Sequence, residues 1–467
     1  MPKIEIKSIK ELLLIMKLSK YSKIEEAQMK RVLIKDLRKY IGHEVKVQGW
    51  IHAIRDQKKM QFVILRDHTG LVQVTLERSE NPKLAEVISS LTLESAVTVI
   101  GRVVENPMVK LGGIEIQLID LRIESKAFSP LPFDIFGKAL PSLDVRLDWR
   151  FLDLRRPQNF LIFKVQTTIE MAMREYFYSE GFIEIHSPKI MGSASESGSE
   201  LFQLDYFGRV AYLAQSPQFY KQMAMAAGFD KVFEIGPVFR ANPSFTARHD
   251  TEFTSIDVEI SWIDSHEDLM TFEEQWLQYV FQRVKEKHGE EIAKVFGIEV
   301  KIPSIPFPRI TMKEALDVLA KQGYTPPPER KGDLDPQGER LLAQWVEKEY
   351  GHEFVFLTDW PITARPFYHM RHENDPFTTK SFDLIWKGLE ITTGAQREHR
   401  YDILVKQALE KGLSLEPIQF YLDFFKYGCP PHGGFGFGLT RMLMVLFQAN
   451  SVKEVTYIYR GPNRLFP

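Results

Sequence analysis

Hydrophobic and polar residues alternate in short runs through the first quarter of the chain. Turn-forming strings such as Asp67-His68-Thr69-Gly70 separate these runs. A period of two is typical of strands that bury one face, and polar clusters with glycine mark the turns between them. The predicted strands lie at residues 44–54, 61–66, 70–76, 96–104 and 114–123. About five short strands within roughly one hundred residues favour a small closed β-barrel.

We assign this barrel to a domain at residues 31–126. Its leading candidate is the OB-fold, a five-stranded barrel that commonly binds single-stranded nucleic acid. Residues 1–30 before it carry seven lysines against four glutamates, with apolar residues between them. This basic extension is either a solvated tail or a helix that contacts nucleic-acid phosphates without sequence preference.

Residues 127–156 are punctuated by prolines, and we interpret them as a hinge before a longer domain at 157–467. Helical periodicity marks 160–180, 217–227 and 266–288, and β-rich runs mark 232–239, 254–263, 382–384 and 389–392. Strands grouped in this way beside helices predict an α+β domain built on an antiparallel sheet.

Composition narrows the class of protein further. Hydrophobic residues make up 44% and charged residues 26% of the 467, which is typical of globular proteins. A net charge of −2 argues against a generic nucleic-acid coat protein, so any nucleic-acid contact must be local. No apolar run approaches the roughly 20 residues of a membrane helix. The single cysteine, Cys429, fits a reducing compartment, and we expect a cytoplasmic enzyme without a membrane partner.

Three segments of the second domain carry candidate chemistry. The first, residues 181–190, joins Gly181 after a helix to an extended strand fixed by Pro188, and alone it is equally well explained as an ordinary helix–turn–strand. The second places Arg240 and Arg248 on either side of a polar loop. Fixed guanidinium groups stabilise the negative charge that forms when a carboxylate attacks phosphorus, although such pairs are more often surface salt bridges.

The third segment, residues 433–441, is rich in glycine and ends at Arg441, where an apolar helix is predicted at 442–447. Glycine lets the backbone approach a nucleotide closely, and an arginine can meet its phosphates, but one glycine run is weak support. Taken together, in this order along the chain, the three segments resemble signature motifs 1, 2 and 3 of the class II aminoacyl-tRNA synthetases. The resemblance covers nearly the whole chain after residue 30.

The resemblance implies an ATP site. Arg240 matches the family's arginine on the α-phosphate and Arg441 the one on the γ-phosphate, so these two are the expected catalytic residues. Phe253 matches the aromatic residue that stacks on adenine. Arg248 and His249 match the residues that lie near the distal phosphates. The implied ATP-binding set is Arg240, Arg248, His249, Phe253, Glu390, Gly438 and Arg441.

Further strings resemble the aspartyl members of this family. Residues 193–202 look like the mobile loop that would bring Glu196 near the α-amino group of L-aspartate, although a flexible Ser/Gly connector is the simpler explanation in isolation. Lys221 and Arg397 match two cations that bind the side-chain carboxylate. Because asparagine would leave both cations without a counter-ion, aspartate should be strongly preferred. The implied aspartate-binding residues are Glu196, Gln215, Ser216, Gln218, Lys221, Thr393 and Arg397.

Magnesium is the metal that the resemblance implies. Glu390 and Thr393 match the family's ligands, with Asp383 as a third candidate, and hard oxygen atoms suit Mg²⁺. No HxxxH spacing or Cys/His cluster in the sequence indicates zinc. The sequence therefore predicts phosphate-site or packing roles for His249, His399 and His432.

The barrel would then recognise the anticodon of tRNA(Asp). Phe62, Arg66 and Gln73 fall where the family recognises the middle anticodon base, although a core role for Phe62 is a comparable explanation. His52 falls near the third base and accompanies relaxed discrimination in archaeal-type enzymes, which would make tRNA(Asn) a second acceptor. Lys110 resembles the discriminating type, so the two indications conflict.

Motif 1 forms the dimer interface in the family and so implies a homodimer. Two residues depart from the pattern: Asn242 stands where motif 2 usually has glutamate, and Thr440 replaces the acidic residue before the arginine of motif 3. Two alternatives to an aspartate–tRNA ligase therefore stay open. One is a diverged paralogue that activates an amino acid for a non-tRNA acceptor, and the other is a non-catalytic RNA-binding relative.

Overall fold

The computed structural model describes residues 29–193, 201–243, 246–328 and 332–467. Glu196 and nearly all of the basic extension predicted at 1–30 lie outside these ranges. The chain divides into two compact units between Leu140 and Pro141, a point within the predicted hinge, whose own bounds stay a prediction.

The first unit contains a closed five-stranded barrel. Its strands are β1 (Glu44–Asp56), β2 (Met60–Asp67), β3 (Gly70–Glu77), β4 (Ala96–Glu105) and β5 (Ile114–Ser125). They pair in the order β1-β2-β3-β5-β4, and β4 pairs with β1 to close the barrel. Val63, Leu65, Val72 and Val74 point inward and are at most 1% exposed, as the period of two requires. The predicted barrel is therefore confirmed.

Neither the 3-10 helix at Ile34–Tyr40 nor the α-helix of this unit was predicted. Helix α1 (Pro82–Ser89) joins β3 to β4 and buries Leu84, Ala85 and Ile88 in the barrel core. Asn81 caps it by accepting a hydrogen bond from the main-chain nitrogen of Leu84. The helix is only two turns long, which is too short for its periodicity to stand out in the sequence.

The second unit is built on an eight-stranded sheet. The strands of this unit, in the main sheet and in a smaller one, are β6 (Ile183–Glu184), β7 (Ile190–Met191), β8 (Gln203–Tyr206), β9 (Arg209–Leu213), β10 (Lys231–Phe239), β11 (Glu252–Ser261), β12 (Arg309–Thr311), β13 (Phe354–Thr358), β14 (Ser381–Trp386), β15 (Leu389–Gln396) and β16 (His432–Gly438). The main sheet has the order β12-β13-β14-β15-β16-β11-β10-β6, and β7, β9 and β8 form a separate small sheet. Neighbours in the main sheet are antiparallel except for one parallel pair at each edge. The predicted α+β class is confirmed.

The second unit also contains α-helices, several of which pack against this sheet. They are α2 (Leu143–Asp148), α3 (Arg150–Asp153), α4 (Pro157–Ser179), α5 (Gln218–Ala226), α6 (His266–Phe296), α7 (Met312–Lys321), α8 (Pro336–Tyr350), α9 (Tyr401–Glu410), α10 (Gln419–Lys426), α11 (Leu439–Leu446) and α12 (Val452–Val455). The core joins Phe177 of α4 to Trp276 of α6 and Trp276 to Phe435 of β16, with ring centroids 5.1 and 5.7 Å apart. Within the described ranges, no helix is both long enough and apolar enough to cross a membrane.

The first signature segment forms less strand than predicted. Gly181 has a φ of +79°, which lets the chain turn sharply out of α4. Only Ile183 and Glu184 then join the sheet, in a parallel pairing with β10. The backbone leaves the sheet before Pro188, which has no amide hydrogen to donate to a neighbouring strand.

Candidate active site

A cleft of about 330 Å³ is lined by residues of α5, β11, β15 and β16 and by loops of the second unit. It brings together side chains from strings that are far apart in the sequence. The predicted residues that line it are Ser216, Gln218, Lys221, Arg240, Arg248, His249, Phe253, Glu390, Thr393, Arg397, Gly438 and Arg441.

Strand β16 lies between β11 and β15 and consists largely of glycine. A Cβ atom on Gly434 would overlap the carbonyl of Val258 and the carboxylate of Glu259, and one on Gly433 would press on the Ala395 carbonyl. Packing against both neighbouring strands therefore requires glycine here, whatever the run does for a ligand.

Two arginines face the cleft from different elements. Arg240 follows β10, and its guanidinium lies 5.4 Å from the centre of the Phe253 ring on β11. Arg441, in the first turn of α11, donates to the main-chain carbonyl of Glu390 at 3.0 Å and lies 3.2 Å from the Glu390 carboxylate. Arg441 is thus held by hydrogen bonds and Arg240 packs near an aromatic ring, and both guanidinium groups line the cleft.

Arg248 and His249 lie in the loop between β10 and β11. Arg248 forms a 2.7 Å ion pair with Glu339 of α8, and burial raises the pKa of Glu339 to about 7 in spite of this partner. Burial lowers the pKa of His249 to about 4, and Arg441 and Arg248 reinforce the shift. At neutral pH the imidazole therefore adds a hydrogen-bonding group to the cleft but no charge.

Lys221 of α5 is 2% exposed, and its ammonium lies among acceptors of the chain itself. Its Nζ atom is 3.0 Å from Asp257 Oδ1, 3.4 Å from Glu259 Oε2 and 3.1 Å from the carbonyl of Phe435. Ser255 donates to the other oxygen of Asp257 at 2.6 Å. A buried charge that is paired and hydrogen-bonded in this way is fixed in position.

Arg397 follows β15 and shares Glu259 with Lys221. Its Nε atom lies 3.0 Å from Glu259 Oε1, its NH2 donates to the Gly434 carbonyl at 2.9 Å, and its NH1 lies 3.1 Å from Nε2 of His369. Two cations therefore face two buried carboxylates. Asparagine would therefore not leave the two cations without a counter-ion, contrary to the prediction, because Asp257 and Glu259 already fill that role.

The three oxygen donors predicted for magnesium lie on neighbouring strands. Asp383 of β14 is the cross-strand partner of Thr393 in β15, and the Thr393 hydroxyl donates to Glu390 at 3.1 Å. Burial raises the pKa of Asp383 to about 7, opposed by Arg365 at 2.7 Å and reinforced by Glu390. Against the effect of burial, Arg441 and Arg365 hold the pKa of Glu390 below its usual value. Of the three donors, Glu390 and Thr393 line the cleft.

Three predicted residues are not in the cleft lining, and several residues that line it were missed. Gln215 and Asp383 are buried outside the lining, and Glu196 lies outside the described residues. Asp250 lines the cleft, and burial raises its pKa to about 7; its position within the second signature segment was the available signal. Arg365 and His369 come from a loop whose sequence has no periodic pattern.

On the barrel, three predicted anticodon residues share the outer face. Phe62 and Arg66 alternate with inward-pointing valine and leucine on β2, and Gln73 of β3 pairs with Ile64 between them. Gln73 donates to Glu115 at 2.9 Å. The register thus places the three side chains on one face of the barrel.

Arg66 is 5% exposed and donates through both terminal nitrogens to Glu94, at 2.7 Å each. The same guanidinium lies 3.2 Å from Nδ1 of His52, whose ring packs edge-on against Phe136 at 4.6 Å. Burial and the charge of Arg66 lower the pKa of His52. Lys110 is exposed in the turn between β4 and β5. Arg66 is therefore placed to orient His52, and direct base contacts by Arg66 stay a prediction.

Two family profiles match this chain. The profile of the class II tRNA synthetases (D, K and N) covers residues 142–459, and that of the OB-fold nucleic acid binding domain covers residues 45–124. The first match alone spans more than half of the chain. The chain belongs to the class II tRNA synthetases. The predictions of a class II synthetase and of an OB-fold are thereby confirmed.

Curated class II synthetases align over almost the entire chain. The aspartate–tRNA(Asp) ligase of Pyrococcus abyssi is 46% identical over 427 residues, 91% of this chain and 97% of that protein. The aspartate–tRNA(Asp/Asn) ligase of Methanopyrus kandleri is 46% identical over 429 residues, 91% and 96% of the two chains. Identity alone therefore does not choose between one and two tRNA acceptors.

Solved class II synthetases share the backbone. The asparaginyl-tRNA synthetase of Pyrococcus horikoshii, complexed with asparaginyl-adenylate, aligns with a TM-score of 0.85 at 31% identity, covering 94% of this chain and 100% of that one. The aspartyl-tRNA synthetase of Entamoeba histolytica aligns with a TM-score of 0.83 at 30% identity, covering 94% and 93%. Because both specificities use this fold, amino-acid selectivity has to be argued from side chains of the cleft.

Proposed function

We propose that this chain is an aspartate–tRNA ligase. It activates L-aspartate with ATP and transfers the aspartyl group to the 3′ end of tRNA(Asp). The observation that carries the proposal is one cleft that holds both the buried pair Lys221 and Arg397 and the separate arginines Arg240 and Arg441. Relatives named for this activity align over 91% of the chain, and the nucleic-acid-binding barrel argues against a non-tRNA acceptor.

In the first step the α-carboxylate of aspartate attacks the α-phosphorus of ATP, the bond to the bridging oxygen breaks, and pyrophosphate leaves. We assign Arg240 to the α-phosphate and Arg441 to the γ-phosphate, with Phe253 beneath the adenine. Each arginine is already positioned by the protein, so it stabilises the developing charge without reorganisation. In the second step the terminal ribose hydroxyl of the tRNA attacks the aspartyl carbonyl, and AMP leaves.

We assign Lys221 and Arg397 to the side-chain carboxylate of aspartate, with Ser216, Gln218 and Thr393 in the same cleft. Since Lys221 already has acceptors, the substrate carboxylate must replace one of them, and Asp257 is the nearest charged partner. The side-chain amide of asparagine would instead place its own N–H groups against the N–H groups of Lys221 and Arg397. Each charge-assisted hydrogen bond lost in this way costs roughly 1.5–3 kcal/mol, which favours aspartate.

We assign Mg²⁺ to Glu390 and Thr393, with Asp383 as the supporting carboxylate. All three donors are hard oxygen atoms, and Asp383 and Thr393 are cross-strand partners on β14 and β15. When bound, the ion neutralises charge on the polyphosphate and orients it. Glu390 also keeps Arg441 in place, because it accepts from that guanidinium through its main chain.

The remaining assignments concern partners. We place the tRNA(Asp) anticodon on the barrel face that carries His52, Phe62 and Gln73, assign Lys110 to the same recognition, and propose tRNA(Asn) as a second acceptor. The segment before Pro188 supports a homodimer, since β6 is an open sheet edge. A cytoplasmic location fits the unpaired thiol of Cys429.

Amino-acid-dependent exchange between pyrophosphate and ATP tests the activation step. Aspartate, asparagine and lysine are compared because the family profile covers all three specificities. We expect exchange with aspartate to exceed the other two by at least about a hundredfold. Charging of tRNA(Asp) then tests the transfer step. Exchange that depends on asparagine or lysine would overturn the substrate, and exchange without charging would favour a non-tRNA acceptor.

A further inference from the structure

Outside the cleft, two imidazoles and a carboxylate converge near the end of β13. His266 is the first residue of α6, Asp359 directly follows β13, and His372 lies in the loop that leads to β14. One ligand atom from each residue lies within 4.8 Å of the other two. None of the three lines the active-site cleft.

The separations suit one shared ion. His266 Nε2 lies 3.8 Å from Asp359 Oδ1, which is too far for a hydrogen bond, and His372 Nε2 lies 2.7 Å from the same oxygen. Donor atoms about 2.0–2.1 Å from a tetrahedral zinc ion stand roughly 3.3 Å apart. These two separations lie on either side of this value, so small side-chain rotations would bring the donors to one ion.

The chemistry of the donors selects the kind of metal. His266 is 7% exposed, and within the described residues its Nδ1 atom has no hydrogen-bond partner, which is unusual for a buried nitrogen. A flip of the ring can present either nitrogen to an ion. Two imidazoles with one carboxylate suit zinc and similar divalent transition metals, whereas Mg²⁺ prefers an all-oxygen set.

We propose that His266, Asp359 and His372 bind a zinc ion, with water in the fourth position, and that the ion fastens a loop of the active site to the start of α6. Asp359 and His372 flank residues 360–371, and this loop contributes four residues to the cleft, Arg365, Pro366, Tyr368 and His369. An ion bound at both ends of the loop restricts its motion. The sequence contains no zinc-binding spacing because the three ligands come from separate elements and meet only in the folded chain.

Equilibrium dialysis of the metal-free full chain against zinc, followed by elemental analysis, measures binding. We expect one tightly bound zinc per chain, and we expect Co²⁺ in its place to show the visible absorption of a tetrahedral site. His372→Gln, at a partly exposed position, should weaken zinc binding at least about tenfold. His43→Gln, at an exposed position on the barrel, is the matched control and should bind zinc like the unaltered chain.

Amide hydrogen exchange reports on the fastening itself. Zinc should slow exchange in residues 360–371 of the unaltered chain and of His43→Gln, but not of His372→Gln. Asp359→Asn is the second ligand variant, and circular dichroism confirms that both variants fold. Absence of stoichiometric zinc, equal zinc affinity in His372→Gln, or the same protection by Mg²⁺ alone would each overturn the proposal.

Discussion

The ammonium of Lys221 lies 3.0 Å from the carboxylate of Asp257, and neither side chain is more than 5% exposed. In a buried pair each charge offsets the desolvation cost of the other, so removing one partner leaves the second unpaired. Substitution of Lys221 therefore disturbs both the aspartate site and the stability of the fold, and a test has to separate the two effects.

Lys221→Met should abolish aspartate-dependent exchange and lower the free energy of unfolding by about 3–5 kcal/mol, because Asp257 and Glu259 lose their ammonium partner. The double variant Lys221→Met/Asp257→Asn should regain part of this stability in urea denaturation while exchange stays lost. An unchanged KM and rate for aspartate in the single variant would remove Lys221 from the substrate site.

Arg240→Ala and Arg441→Ala should each lower kcat/KM for exchange by about 10²–10³, the usual loss when a preorganised donor to a transition-state charge is removed. Arg102→Ala is the control, since Arg102 is an exposed arginine of the barrel and should leave exchange unchanged. Near-normal exchange in either active-site variant contradicts its assignment to phosphate.

The barrel could be predicted almost completely because each of its strands buries one face. β13 was missed because all five of its residues are buried, and a short apolar run without alternation does not distinguish strand from helix. β16 was missed as a strand because glycine is rare in strands. Its place is set by the close approach of Val258 and Ala395 on either side, which only the folded sheet reveals.

The candidate site was predictable where a residue sits inside a recognisable string. Arg240, Arg441 and Lys221 are examples, and the structure places all three in one cleft. Their partners were not predictable in the same way. Glu259 approaches Lys221 and Arg397 only because β11, α5 and β15 come together in the folded unit. The charge balance of the aspartate site is thus a property of the tertiary structure.

Asp250 should make the folded state less stable as the pH rises. Burial raises its pKa from 3.8 to about 7, so between these values the folded chain keeps a proton that the unfolded chain has lost. Stability from this group is therefore full below about pH 4 and falls as the pH rises towards 7. Each pKa unit corresponds to about 1.4 kcal/mol, so the whole change is a few kcal/mol.

Asp250→Asn removes this titration. Between pH 4.5 and about pH 7 the unaltered chain should lose unfolding free energy relative to the variant. Above about pH 7 the difference between the two proteins should stay constant. Urea denaturation at several pH values measures both proteins, and the subtraction cancels the other titrating groups. A difference that does not vary with pH would show that Asp250 is ionised throughout this range.

The homodimer can be tested at the open edge of the main sheet. Ile183 of β6 is 50% exposed there, so Ile183→Asp should shift the chain from dimer to monomer in sedimentation velocity at micromolar concentration. Phe128→Asp removes an even more exposed apolar side chain from the other unit and is the control. A monomeric unaltered chain at this concentration contradicts the homodimer.

The choice of tRNA depends on the space around His52. Its Nδ1 atom lies 3.2 Å from the guanidinium of Arg66, and its ring centroid lies 4.6 Å from that of Phe136, which Arg66 also contacts. An indole is larger than this space, so His52→Trp must displace Phe136 or project onto the face proposed for the third anticodon base. The imidazole leaves more room there and should accept the anticodons of both tRNA(Asp) and tRNA(Asn).

We therefore expect His52→Trp to reduce charging of tRNA(Asn) about tenfold to a hundredfold and to leave charging of tRNA(Asp) unchanged. This loss is equivalent to roughly 1–3 kcal/mol, the value of one base contact. His52→Gln, which removes the ring without adding bulk, separates the effect of size from the loss of histidine. Aspartate-dependent exchange is the control and should be equal in all three proteins, since the substitution lies outside the catalytic unit. If the unaltered chain already prefers tRNA(Asp) by more than about a hundredfold, the relaxed specificity assigned to His52 is wrong, and Lys110 becomes the better indicator of a discriminating enzyme.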